Sequence, residues 1–166
     1  MQGSVNTIIP DGVEAIETSA FSSSSDGIAI ESVKMPNSVK NIGVSAFLRC
    51  KKLKSVELSN SVETIGMNAF LNCTALTSVV SKMETPFTFG TNAFNNINAA
   101  CVLTVPKGKK QAYIAAGWTE DIFKGGIVEA EDEIPGDMNG DGSVTIADVT
   151  KLVNKVLGND QPSSNP

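Results

Sequence analysis

Four copies of one hexapeptide organise this chain. They are Ile16-Glu17-Thr18-Ser19-Ala20-Phe21, Ile42-Gly43-Val44-Ser45-Ala46-Phe47, Ile65-Gly66-Met67-Asn68-Ala69-Phe70 and Phe89-Gly90-Thr91-Asn92-Ala93-Phe94, spaced by 26, 23 and 24 residues. Self-similarity at that period marks a solenoid, in which no coil buries its apolar side alone and each must stack on its neighbours. A stack of coils is mainly a surface, so its use is expected to lie in what that surface holds.

The copies extend beyond the hexapeptide. Val13, Val39 and Val62 stand three residues before each Ile, and after each Phe come Ile30-Glu31-Ser32-Val33-Lys34-Met35, Leu53-Lys54-Ser55-Val56-Glu57-Leu58 and Leu76-Thr77-Ser78-Val79-Val80-Ser81, with a degenerate copy over 100–105. An insertion over 22–27 in the first coil reads as a surface bulge, and Pro10, Pro36 and Pro106 mark corners. Each coil therefore carries two short extended stretches whose equivalents should pair in parallel, about 4.8 Å apart. In that register Glu31 meets Lys54, Lys34 meets Glu57, and Glu14, Lys40 and Glu63 alternate in sign. Ser32, Ser55 and Ser78 make a column of small residues beside them. Such ladders serve either as solvated strand decoration or as a ligand-contacting face. Cys50 and Cys73 share one coil position, which allows a buried thiol column or a disulfide, while Cys101 falls elsewhere and is expected to be buried in the last coil.

Residues 53–73 read L-x-x-V-x-L-x-x-x-V-x-x-I-G-x-x-A-F-x-x-C, through Leu53, Val56, Leu58, Val62, Ile65, Gly66, Ala69, Phe70 and Cys73, with Ser59 at a Pro position. This pattern resembles the BspA-like, bacterial surface-antigen type of leucine-rich repeat over roughly 10–106. The resemblance implies a mostly β leucine-rich-repeat solenoid of about four parallel-stranded coils (near 10–35, 36–58, 59–81 and 82–106, within a domain 1–106) and a role in surface adhesion or interaction. Residues 107–129 read as a C-terminal cap: 109–116 suits a short helix stopped by Gly117, Trp118, Ile122 and Phe123 add bulk, and 126–129 returns as a strand. An aromatic ligand platform at Tyr113 and Trp118 is the rival reading. No capping segment is apparent on the N-terminal side, where the chain enters in mid-coil near 5–10, so the expectation is either the C-terminal part of a longer array or a first coil with an edge needing protection.

Residues 130–136 read as an acidic linker. The following Asp137-Met138-Asn139-Gly140-Asp141-Gly142-Ser143-Val144-Thr145-Ile146-Ala147-Asp148 has the spacing of a calcium loop. Ca²⁺ takes six to eight oxygens. Asp137, Asn139 and Asp141 would aim side-chain oxygens inward, Gly142 would permit the sharp turn, Ser143 would offer its carbonyl, Thr145 would bind directly or through water, and Asp148 would close the shell. A helix should follow, with Ile146, Val149, Leu152, Val153, Val156 and Leu157 in one apolar stripe ended by Gly158. Asp at the twelfth position, with no helix before the loop, resembles a single dockerin calcium repeat over 137–158, followed by a flexible tail 159–166. That resemblance implies a cohesin-like protein partner, with Ile146 and Ala147 where partner specificity is read.

The remaining composition narrows the function. The absence of His removes a His-based triad and a His metal site, and a single Arg with a net charge of −5 argues against nucleic acid. No apolar run reaches the ~20 residues of a bilayer span. The expectation is a non-catalytic extracellular or cell-surface interaction protein, its repeats recognising protein or glycan and its tail ordered by Ca²⁺. The lack of an apolar signal core in 1–5 suits a cytoplasmic protein or, equally, a mature chain or fragment, and the expected exterior location goes with the second. A structural spacer or self-associating repeat fragment is the alternative, and an accessory part of a carbohydrate-active enzyme a more remote one.

Overall fold

The computed structural model describes residues 6–22 and 30–131, with 146, 149, 150 and 153 beyond them. The chain divides into two compact units, Met1–Ala130 and Glu131–Pro166. In the first, nine short strands precede or follow one helix: β1 (Asn6–Ile8), β2 (Ala15–Ile16), β3 (Ser32–Lys34), β4 (Asn41–Ile42), β5 (Ser55–Leu58), β6 (Thr64–Ile65), β7 (Ser78–Ser81), β8 (Val102–Val105), α1 (Lys110–Ala115) and β9 (Gly126–Glu129). They form two parallel sheets, β1-β3-β5-β7-β8-β9 and β2-β4-β6. The result is a leucine-rich-repeat solenoid of about five turns, where about four coils were expected. The difference arises because β1 starts the ladder ahead of the first hexapeptide and β9 extends it after the last, so neither carries the signal by which coils are counted.

The register follows the repeat. Val33, Val56, Val79, Leu103 and Ile127 face one another along the large sheet and are all buried. Phe21, Phe47, Phe70 and Phe94 stand in single file, with successive ring centroids 5.0, 5.1 and 5.0 Å apart and planes within 10° of parallel. Stacked rings at that separation add about 0.5–1.5 kcal/mol per pair beyond the area they bury. Pro10, Pro36 and Pro106 each open a corner, their carbonyls accepting from the amides of Val13, Val39 and Lys109. Ser59 fills the corresponding corner, and its buried hydroxyl has no partner among the described residues.

The hexapeptide is explained by how coils touch. Within it, alternate amides reach forward to the next coil: Ser45 to Met67 O, Phe47 to Ala69 O and Arg49 to Leu71 O, at 2.7–2.9 Å. The amides between them bond locally, as Ala46 to Gly43 O and Leu48 to Ser45 O. This alternation puts Ser19, Ser45, Asn68 and Asn92, and then Arg49, Asn72 and Asn96, in the left-handed region at φ between 54° and 63°. Asn tolerates that region better than most residues, which accounts for its frequency here. The glycine of the motif answers a different need. A Cβ on Gly43, Gly66 or Gly90 would lie 2.4–2.7 Å from backbone of the preceding coil, so only Gly lets the coils close up.

At the C-terminal end, residues 107–129 fold over the fourth coil. Tyr113, Trp118 and Phe123 are fully buried, and Trp118 and Phe123 lie 5.5 and 5.3 Å from the last ring of the file, Phe94. The Trp118 Nε1–H donates to Phe87 O at 2.8 Å, and the Tyr113 hydroxyl donates to Met83 O at 2.9 Å beside Ser81 Oγ. Complete burial of Tyr113 and Trp118 overturns the reading of an aromatic platform; these rings close the core. At the other end Phe21 is only half-buried and Ala20 is exposed, whereas Ala46 and Phe47 are fully buried. Most of the 22–27 insertion, and residues 1–5, lie outside the described residues.

Candidate functional site

Parallel pairing places one row of side chains along the outer face of the large sheet. Ile8, Lys34, Glu57, Val80, Thr104 and Val128 succeed one another in register. Lys34 Nζ lies 3.1 Å and Lys82 Nζ 2.8 Å from Glu57 Oε1, and Lys54 Nζ lies 2.7 Å from Glu31 Oε2. The partial burial of Glu57 opposes ionisation, but hydrogen bonds from Lys82 and Lys34 outweigh it and hold the carboxyl below its ordinary range. The lysines are more than half exposed, so each pair contributes only about 0.2–1 kcal/mol. Ser32, Ser55 and Ser78 form the expected small column alongside. The face is thus charged in its centre and apolar at its ends, where Ile8 is 85% and Val128 47% exposed.

Glu14, Lys40 and Glu63 behave differently. Their backbones stack in register, Lys40 N to Glu14 O at 2.8 Å and Glu63 N to Lys40 O at 2.7 Å. Their side chains form no ion pair among the described residues, so that column aligns without locking.

The cysteines are free and buried. Cys50 Sγ donates to Phe21 O and Cys73 Sγ to Phe47 O, both at 3.1 Å, so each thiol ties its own coil to the phenylalanine carbonyl of the coil before. The hydrogen bond with Cys50 and burial both push the Cys73 thiol well above its ordinary range, and burial pushes Cys101 up to about 12. Cys73 and Cys101, held protonated in this way, are poor nucleophiles and poor metal ligands at neutral pH, whereas the hydrogen bond with Cys73 lowers the Cys50 thiol against the opposing effect of its burial. Burial and the bonds to the phenylalanine carbonyls make the thiol column a packing feature, and the disulfide alternative does not form.

The proposed calcium ligands Asp137, Asn139, Asp141, Ser143, Thr145 and Asp148, and the partner-contact residue Ala147, lie outside the described residues. Of the helix expected after the loop, Ile146, Val149, Thr150 and Val153 are helical, with Thr150 Oγ1 donating to Ile146 O at 3.0 Å. Ile146, Val149 and Val153 are exposed, Ile146 by 84%. Among the described residues no group of three His, Cys, Asp or Glu side chains is close enough to hold a metal ion, and no helix is long and apolar enough to cross a membrane.

Sequence reasoning missed a recess of about 480 Å³ between the fourth coil's turn and the loop after α1, bordered by Asn92, Asn95, Asn96, Asn98, Asp121 and Lys124. Its signal was present as a break in the repeat: Asn95 follows Phe94 where Leu48 and Leu71 follow the two preceding phenylalanines. A family model described as a BspA type leucine-rich-repeat region, in six copies, covers residues 3–112. No curated protein and no solved structure matches the chain.

Proposed function

Because the chain belongs to the family of BspA-type leucine-rich-repeat regions, we propose that it is a non-catalytic interaction protein of the bacterial exterior, with the coils presenting a recognition surface for protein or glycan and residues 137–158 forming a calcium-ordered tether. The observation that carries the first half is the unbroken outward row from Lys34 to Thr104, held in register by parallel pairing. Repeat arrays use such rows as extended binding surfaces. The pairing of Glu57 with two lysines argues against acid–base catalysis there, which needs a carboxyl free to exchange a proton.

The tether rests on the loop sequence. Asp137, Asn139, Asp141, Ser143, Thr145 and Asp148 supply an oxygen-only set suited to Ca²⁺, and extracellular modules of this kind fill at about 10⁻⁴–10⁻³ M calcium. The exposed Ile146, Val149 and Val153 give the helix an apolar stripe fit for a cohesin-like protein partner. Calcium titration of the metal-free full chain, followed by calorimetry and amide hydrogen exchange, tests this. One bound ion and new protection confined to 137–158 are expected, and both should vanish in Asp141→Ala. Binding of no ion, or protection arising in the coils instead, removes the tether from the proposal.

The exposed Ile8 on the edge strand β1 favours a second reading, a spacer that associates end to end. Sedimentation over a hundredfold concentration range separates the two, since only the spacer reading requires growth in mass.

A further inference from the structure

We infer that the recess between the fourth coil's turn and the loop after α1 binds a neutral saccharide. This rests on reading the array as a recognition protein and names a ligand class for one place on it. The recess, at about 480 Å³, falls within the ~300–1,000 Å³ of small-molecule sites. It sits where the repeat departs from its own rule. In the second and third coils the residue after Phe is half-buried Leu48 or Leu71; in the fourth it is the exposed Asn95. The backbone still stacks, Asn72 N donating to Asn95 O at 3.1 Å, so the departure lies in the side chain and not in the coil.

The lining separates into groups that are occupied and groups that are free. Asn98 is used twice by the fold: its Nδ2 donates to Thr74 O at 3.2 Å and its Oδ1 accepts from Ala100 N at 2.9 Å. Asn96 Nδ2 donates to Asn72 Oδ1 at 2.7 Å, which fixes the side chain and leaves its own Oδ1 available. Asn92, Asn95, Asp121 and Lys124 make no side-chain hydrogen bond or ion pair among the described residues. Asn92 and Asn96 are held in left-handed turns at φ 58° and 54°, so the backbone presets where their amides start from. Between these polar groups lie the half-buried apolar side chains of Ile97 and Ile122.

That combination matches a sugar more closely than other small ligands. A sugar hydroxyl donates and accepts at once, and a carboxamide offers both functions in one plane. The C–H face of a sugar ring can rest on Ile97 and Ile122. An apolar ligand would cover the free amides without pairing them, which is costly. An anion would meet one ammonium, Lys124, offset by Asp121, with no Arg near. A folded protein would need about 800 Å² of fairly flat surface, which a recess does not provide.

The test is a ¹H–¹⁵N NMR titration of the full chain in calcium, with maltohexaose, cellohexaose, mannohexaose and chitohexaose as probes. At least one is expected to shift the amide signals of Asn92, Asn95, Ile97 and Ile122 saturably. Asn95→Leu restores the residue of the second and third coils, so it should leave the melting temperature and the remaining spectrum unchanged while weakening that probe at least tenfold. Asp121→Ala should weaken it as well. Shifts that survive both substitutions overturn the inference, as does a chain that responds to no probe. Shifts confined to Lys34, Glu57 and Thr104 overturn it too, yet they would leave glycan recognition by the coils standing. Loss of all binding, including capture of a protein partner by the coils, is the separate failure of the broader reading.

Discussion

The two ends of the solenoid solve one problem in opposite ways. Any stack of coils exposes the core of its first and last members. At the C-terminal end the last ring of the file, Phe94, is covered by Trp118 and Phe123, and β9 completes the sheet. At the N-terminal end, among the described residues, the outer face of Phe21 is bare, and a cavity of about 260 Å³ opens between β1 and the first turn, bordered by Ile8, Ile16 and Phe21. Even the motif changes there. Glu17 stands where later coils have Gly43, Gly66 and Gly90, just after β2, which has no strand before it in its sheet among the described residues. One end invests a tenth or more of the chain in aromatic closure; the other, among the described residues, leaves apolar side chains such as Ile8 uncovered.

If that contrast is right, truncating the closure should cost far more than truncating the open end. Trp118→Ala removes a fully buried side chain, its hydrogen bond to Phe87 O and its contacts with four rings, and should destabilise the first unit by about 3–5 kcal/mol. Phe21→Ala, at a half-buried ring stacked on one side only, should cost clearly less. Urea unfolding of both variants measures the difference, and equal losses would break the comparison.

The glycine column gives a sharper version. Gly66→Ala puts a Cβ 2.7 Å from Val44 N, so the third coil must shift away from the second, at about 1–3 kcal/mol. Glu17→Gly, at the same motif position but after a strand with none before it in its sheet among the described residues, should stay within about 0.5 kcal/mol. Thermal melts of the pair decide whether coil-to-coil contact, and not the turn itself, demands Gly.

Closure also carries a pH signature. Burial pushes Tyr113 up to about 12 despite its hydrogen bonding with Ser81 and Met83, and burial pushes Cys101 up to about 12. Both groups are favoured in their neutral forms by folding. Their contribution is therefore complete below the unfolded values, near 9 for the thiol and 10 for the phenol, and is lost as pH rises through 12. The melting temperature should stay level to about pH 9 and then fall. Hydrogen exchange in that range should show 107–129 opening ahead of the second coil. In Tyr113→Phe the fall between pH 10 and 12 should be shallower, from a start about 1–2 kcal/mol lower because Met83 O loses its donor.

Much of this was legible because solenoids repeat the same local physics. The file of phenylalanines, the Glu31–Lys54 and Lys34–Glu57 pairs and the serine column all follow from aligning copies. What escaped were terms that alignment does not contain. β1 carries no hexapeptide, so the ladder was undercounted. Glu14, Lys40 and Glu63 align, yet alignment does not close an ion pair between exposed flexible side chains. The thiol-to-carbonyl bonds of Cys50 and Cys73 depend on the exact rise between coils, which a sequence states only as a period. The recess at Asn95 was visible only as an exception, and exceptions to a repeat are where a surface departs from scaffolding.

The smallest expected effect concerns the open end's edge. Ile8 occupies the outward row in register with Lys34 and is 85% exposed, so removing its side chain should cost the first unit almost nothing. Ile8→Glu would set a carboxylate opposite Lys34 and lengthen the charge row that already runs through Glu57 to Lys82. A directly facing opposite-charge pair adds about 0.2–1 kcal/mol, and exposure places this one at the low end. The same substitution puts charge on an unpaired strand edge, a device that opposes edge-to-edge pairing. The expected outcome is a melting temperature unchanged or raised by a degree or two, and a sedimentation profile free of any concentration-dependent species that the parent chain forms. A clear loss of stability would mean that Ile8 is already engaged, and that the two ends are more alike in closure than their aromatic content implies.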